Sequence, residues 1–370
     1  MSAATTALAS GRPDFAYLQS ALARAGLPQA RGELQTAPLL GGRTGATVQR
    51  LSVGDRSFVL KYIDEHSWRI AGIGGAGGEH RLWLQGVTRG LDGPIRCPVI
   101  DVAYEPAARR YWVLMHDVST GIRERGKFGR EDSRALVAGL AAMQARHWER
   151  AELEQAPLPD VTGPTDLFRK AVLHLSGRRS SNEPCLLQMV EDFKLMGAFL
   201  PLFLESLGSN LAEEYLVLVE DTGWIEALAR EPQTLLHGDL RRANIAFDGG
   251  RIWLFDWEFA SRGPAGADLQ WHCLLHYWAY PPDGMDAGDD CDDLAQLYVD
   301  RLAARLGRRV DRESFDRGWQ LGWIKAMAQL GYILVDPLHP NGDAETRRRV
   351  AALCRRATQR ALRMRDALRR

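Results

Sequence analysis

Residues 235–247 read LLHGDLRRANIAF. Apolar ends enclose His237, Asp239, Arg241, Arg242 and Asn244. Such groups are costly between buried flanks unless they have partners. A second apolar run, IWLFDWEF at 252–259, follows Gly249-Gly250 and carries Asp256. Together the two stretches predict a loop, a short strand, a Gly-Gly turn and a second strand. Asp239, Asn244 and Asp256 then gather two carboxylates and an amide around one hairpin. Hard oxygens of this kind suit Mg²⁺. Phosphoryl transfer uses such metal ligands, with a separate carboxylate for the acceptor hydroxyl.

The chain has 370 residues, 45% hydrophobic and 25% charged, with formal net charge +0. That length allows two lobes. The balance gives no global field favouring nucleic acid or an anionic membrane, so neither is expected as a partner. Five widely spaced cysteines without a CxxC argue against a disulfide framework or a thiolate zinc site. The N-terminal stretch lacks a basic segment followed by a long apolar one, and no apolar run is long enough to span a bilayer. A cytoplasmic location is expected. Basic side chains are 42 Arg and only 5 Lys, and Lys61 is the sole lysine before Lys127. Where arginine is written nearly everywhere, an early lysine marks a position worth reading.

Periodicity divides the chain. Residues 13–27 have helical spacing and stop at Gly26. From about 37 to 63 apolar and polar residues alternate around Gly-rich turns, predicting two or three antiparallel strands. A helix is expected at 78–87 and two more strands at 97–118. Helical patterns then cover 131–151, 165–176, 184–207, 210–229, 266–280, 291–306, 312–334 and 343–368. The expected class is α+β, with a small antiparallel β lobe before a larger, mainly helical lobe. The expected divisions are a tail and helix at 1–30, the β lobe at 31–116 and the helical lobe at 117–370.

The pattern His237-x-Asp239-x4-Asn244, followed by an apolar strand leading to Asp256, resembles the aminoglycoside phosphotransferase/choline kinase-like family, small-molecule kinases of the protein-kinase-like fold. The resemblance implies that Asp239 is the catalytic base, that Asn244 and Asp256 hold Mg²⁺, and that His237 braces the loop. Arg241 falls where a cation could meet the transferred phosphate, or it forms a surface salt bridge. Arg242 reads as structural or solvated. In the β lobe, GGRTGATV at 41–48 looks like the phosphate-covering loop, with Gly42, Thr44, Gly45 and Thr47 as contacts. Lys61 in FVLKYI matches the nucleotide lysine. Either Glu79 or Glu65 would pair with it. YWVLMHDVS at 111–119 resembles the interlobe hinge, where Met115 and Asp117 would meet adenine. The implied cofactors are ATP or GTP with Mg²⁺.

Two departures narrow the resemblance. Gly238 stands where protein kinases carry arginine, and only eleven residues separate Asp256 from Asp268. That leaves no room for a peptide-docking segment and favours a small-molecule hydroxyl acceptor over a protein. Asp268 is expected to brace the loop or cap the following helix. The expected function is transfer of a γ-phosphoryl group to an aminoglycoside or other antibiotic, a sugar or an amino alcohol. A nucleotide-binding pseudokinase or scaffold is the alternative, and a protein kinase a third. Acceptor and oligomeric state stay open.

Other motifs have plainer readings. GIGGAG at 72–77 lacks the preceding strand of a dinucleotide fingerprint. His272 and His276 are four apart but sit among aromatic and apolar neighbours, as core or pocket-wall residues do. Trp271, Tyr277, Trp278 and Tyr280 could form a stacking wall or ordinary core. The acidic run at 283–293 could attract a polycation, yet its charge order also suits a helix start. Ten arginines in 347–370 flank an apolar helical stripe and read as a solvated face.

Overall fold

The computed structural model describes residues 6–7, 13–39, 47–68, 78–150, 153, 158–289, 291–338 and 342–369. The loop positions Gly42, Thr44 and Gly45 and the run at 72–77 lie outside them.

The first lobe is built on a six-stranded sheet. Its strands are β1 (Thr6–Ala7), β2 (Leu34–Pro38), β3 (Val48–Val53), β4 (Arg56–Asp64), β6 (Val99–Glu105) and β7 (Arg110–His116); the two-residue β5 (Ile95–Arg96) joins another sheet. The order is β1-β6-β7-β4-β3-β2, antiparallel except where β1 pairs with β6. The turn at Gly54-Asp55 joins β3 to β4 with Gly54 at φ 61°, a conformation cheap only for glycine. Alternation along the strands buries both sheet faces. Helix α1 (Phe15–Arg24), capped by the Asp14 carboxylate on the Tyr17 N–H, packs Leu18 and Leu22 with Phe58, Leu60 and Trp112. Helix α2 (Glu79–Leu84) packs Trp83 with Ile63, Val102, Val113 and Met115 on the other face.

The remainder is mostly helical: α3 (Arg130–Arg146), α4 (Thr162–Leu175), α5 (Pro184–Asp192), α6 (Lys194–Leu207), α7 (Ser209–Glu220), α8 (Gly223–Arg230), α9 (Ala265–Cys273), α10 (Asp292–Leu306), α11 (Arg312–Leu330) and α12 (Ala344–Leu368). One continuous apolar core runs through them. A π-helical turn, Leu274–Ala279, continues α9, and a 3₁₀ segment, Gly331–Leu338, continues α11. Two expected helices are each divided. The chain breaks at Phe193 (ψ 58°) between α5 and α6, and at Asp221-Thr222 between α7 and α8. Three acids of the 283–293 run are paired: Asp289 and Asp293 lie 2.9 and 2.8 Å from Arg130, and Asp283 lies 2.9 Å from Lys127. Among the described residues no helix is long and apolar enough to cross a membrane.

Two small sheets fix the site. Strand β9 (Ile245–Asp248) pairs with β10 (Arg251–Leu254) across Gly249 and Gly250, both at positive φ, as a tight two-residue hairpin requires. The short β5 adds to β10 in parallel. Strand β8 (Thr234–Leu236) pairs with β11 (Ser261–Gly263), a pairing too short to leave a periodic signal.

Candidate active site

The loop between β8 and β9 is anchored by its apolar ends: Leu235, Leu236, Leu240, Ile245 and Ala246 are buried. Asp268, fully buried on α9, braces its backbone. Its two carboxylate oxygens accept the His237 and Gly238 N–H groups, each at 2.9 Å. This is the bracing role expected of Asp268. His237 locks the loop to the next strand. Its Nδ1 accepts the Asp239 N–H at 3.3 Å, so Nε2 carries the proton and donates to the Phe255 carbonyl at 3.0 Å. Burial pulls the His237 pKa below its ordinary value, favouring this neutral form. Gly238 has φ 83°, and a Cβ there would stand 2.1 Å from the Phe259 carbonyl oxygen. That close approach explains glycine at this position.

Asp239 is 8% exposed and held by three donors. The Trp271 indole N–H donates to Oδ1 at 3.1 Å. Asn244 Nδ2 and Arg241 Nε approach Oδ2 at 2.9 and 3.0 Å. Arg241 Nη2 also reaches Asp256 Oδ2 at 3.5 Å. Asp239 above all raises the Arg241 pKa, so the guanidinium is firmly charged. Asp256 sits just after β10 in the left-handed region (φ 64°), where its N–H donates to Glu79 Oε1 at 3.0 Å. A non-glycine residue here stores backbone strain, a common mark of functional sites.

Lys61, on β4, meets three carboxylates: Asp256 at 2.6 Å, Glu258 at 2.7 Å and Glu79 at 3.6 Å. Burial works against its charge. The carboxylates outweigh burial and hold the ammonium above its ordinary pKa. Burial pushes Glu79 up to about 7 against the pull of Lys61. Glu65 instead pairs with Arg109 and Tyr104, at 3.2 and 2.9 Å, so Glu79 is the partner of Lys61. Met115 and Asp117 line the same cavity of about 520 Å³ as Lys61, Asp239, Asn244 and Asp256. The Asp117 carboxylate is engaged by Arg50, Ser57 and the Ser119 N–H, leaving it a bracing role at the hinge. Thr47, expected as a phosphate contact, donates its hydroxyl to Tyr62 Oη at 2.9 Å.

His272 bonds Ser133 Oγ at 3.1 Å within the core, and His276 stacks on Phe128 and lines the cavity. Tyr277 and Trp278 bond Ser133 and the Asp289 carbonyl, as core residues. Arg242 donates to the Arg123 carbonyl. Three participants were missed from sequence. Glu258 lies in the IWLFDWEF run without a local signal that sets it apart. Trp271 was read as wall or core. Lys325 was not singled out, yet it is buried with its ammonium 4.6 Å over the Trp271 ring. The scarcity of lysine that marked Lys61 marks Lys325 equally.

Among the described residues no three His, Cys, Asp or Glu side chains are placed to hold a metal ion unaided. The oxygen chemistry nonetheless fits Mg²⁺. Arg241 already draws on Asn244 Oδ1 (3.3 Å) and Asp256 Oδ2 together, so a cation favours that point. Glu79, Asp239, Asp256 and Glu258 outnumber Lys61 and Arg241, which leaves room for further positive charge.

A sequence profile described as the phosphotransferase enzyme family matches residues 35–313. Comparison with curated proteins finds no match. Among solved structures, amicoumacin kinase hAmiN in complex with AMP-PNP, Ca²⁺ and Ami is 11% identical, with TM-score 0.51 over 92% of this chain and 93% of that chain. Ethanolamine kinase of Plasmodium vivax is 12% identical, with TM-score 0.50 over 92% of this chain and 87% of that chain. At such identities the likeness concerns the fold: an antiparallel β lobe and a helical lobe in the arrangement of these kinases. With the profile match covering most of its length, the chain belongs to the phosphotransferase enzyme family.

Proposed function

We propose that the protein transfers the γ-phosphoryl group of ATP to a hydroxyl of a small molecule, with Asp239 as the base. The observation that carries this reading is the unbroken line of ion pairs Lys61–Asp256–Arg241–Asp239 along one cavity. Residues 31–116 would be the nucleotide lobe, with helix α1 of the 1–30 segment packed on its sheet, and 117–370 the catalytic and acceptor lobe. Adenine would rest near Met115 and the hinge backbone, and Lys61 would pair with phosphate oxygens. Gly42, Thr44 and Gly45 stay in this reading as backbone and hydroxyl contacts to phosphate. GTP is the competing nucleotide. Asn244 and Asp256 would hold Mg²⁺, which offsets phosphate charge.

Asp239 Oδ2 takes two of the three donors, so Oδ1 keeps the freer lone pair. The acceptor hydroxyl donates there, and its oxygen attacks the γ-phosphorus in line. The new O–P bond forms as the bond from γ-phosphorus to the β–γ bridging oxygen breaks. ADP leaves, and the alcohol's proton ends on Asp239. Arg241 stands beside both carboxylates, where a guanidinium stabilises charge on the transferring group.

Asp239→Ala should abolish turnover while nucleotide affinity persists, and Asp256→Ala should weaken Mg-nucleotide binding. Retained turnover in Asp239→Ala would remove the base assignment. A pseudokinase would bind nucleotide without forming ADP across an acceptor panel. The closeness of Asp256 to β11 and α9 leaves no peptide platform for a protein kinase.

A further inference from the structure

We propose that the acceptor is an uncharged alcohol with an aromatic or otherwise apolar body, and that polycationic acceptors are excluded. The inference rests on the phosphotransferase reading and concerns the wall beyond Asp239. The second lobe supplies that wall through Phe168, Phe193, Leu275, Leu330 and Ile333, joined by Phe259. The rings of Phe193 and Phe259 each lie 5.6 Å from that of Phe168, forming one apolar surface.

Charge decides against a cation. Among the described residues, the carboxylates that line the cavity are Glu79, Asp117, Asp239, Asp256 and Glu258. All belong to the Lys61 cluster, the hinge or the catalytic loop, and none stands on the wall. A polyamine would shed hydration there without a counter-charge. Aromatic faces could in principle replace carboxylates through cation–π contact. Of the three described Trp and Tyr rings that line the cavity, Lys325 covers Trp271 at 4.6 Å, Arg125 covers Tyr280 at 4.5 Å, and Tyr332 is 2% exposed. Arg125 is in turn paired with Asp336 at 3.4 Å, so it offers a weak welcome to an anion. His276 is kept neutral by burial. In the acidic run that could have gathered a polycation, Asp283 is tied to Lys127, and Asp289 and Asp293 to Arg130.

The test uses the full chain and three probes: 2-(2-naphthyl)ethanol, kanamycin and choline. Calorimetry with Mg²⁺ and AMP-PNP present measures binding, and transfer of radioactive phosphate from ATP measures turnover. The naphthyl alcohol should bind about 10-fold or more tightly than either cation and be phosphorylated. Tighter binding or faster transfer with kanamycin or choline overturns the inference, as does binding of none of the three. Preferential binding of the naphthyl alcohol with no transfer to any probe supports the wall assignment and instead refutes the phosphotransferase reading. Leu330→Asp, which sets a carboxylate on the wall, should shift preference toward kanamycin by about 10-fold. Phe193→Asp serves if that variant does not fold. An unchanged preference in a folded variant overturns the inference.

Discussion

Trp271 donates its indole N–H to Asp239 Oδ1 at 3.1 Å, from a helix 32 residues further along the chain. The bond fixes the carboxylate rotamer, and in the proposed reaction Oδ1 is the oxygen that meets the acceptor hydroxyl. Trp271→Phe keeps the ring and removes the donor. It should lower kcat about 10-fold, the scale of one hydrogen bond to a charged group, with KM for nucleotide unchanged. Steady-state kinetics at saturating acceptor checks this. An unchanged kcat would make the contact incidental.

Lys61 is the hub of three acids, two of them buried with it. Lys61→Ala leaves those charges uncompensated and should cost about 3–5 kcal/mol of stability. Adding Glu258→Gln should recover part of the loss, giving a coupling of about 0.5–3 kcal/mol in a double-mutant cycle by urea unfolding. Strict additivity would deny that the pair interacts.

Asp268 holds two backbone N–H groups of the catalytic loop at once. Asp268→Ala orphans both, at about 1–3 kcal/mol each. Its denaturant midpoint should fall, and kcat with it, since loop and base share that anchor. Asp268→Asn keeps one acceptor and should lie between wild type and alanine on both measures.

His80 is buried against Tyr111, ring centroids 3.9 Å apart, and burial lowers its pKa to about 3. The unfolded chain binds its proton near the ordinary value of about 6.5, while the folded chain does not. This group therefore leaves stability intact above about pH 6.5 and subtracts from it as pH falls toward 3, by roughly 2 kcal/mol at pH 5. His272, lowered to about 4, acts in the same direction. His80→Phe should keep the stack and flatten the loss between pH 7 and 5. Equal slopes in urea titrations of both proteins would refute this account.

What sequence revealed and what it hid divide by range of interaction. Asp239, Asn244 and Asp256 lie within one hairpin, so their spacing alone announced them. Lys61 and Glu79 were legible through strand pattern and resemblance, but the choice of Glu79 over Glu65 needed tertiary contact. Strand β4 sends alternate residues to opposite faces, and the end of the strand gave no sign of which acid returns to Lys61. Trp271 and Lys325 act through a π-extended helix and its neighbour α11, contacts that no local period encodes. The breaks at Phe193 and Asp221 were hidden because apolar spacing runs through both. The bond from Thr47 to Tyr62 was hidden too, because a Gly-rich hairpin does not disclose where its last hydroxyl points.

Gly238 carries one more consequence. At this crossing the catalytic loop rests directly on the main chain of Phe259, whose side chain lines the acceptor wall. Base and wall thus share a single rigid joint, with no slack for a β-carbon. In the proposed reaction a change of acceptor is met by exchanging side chains around the joint, because shifting the wall's backbone would drag the base out of line.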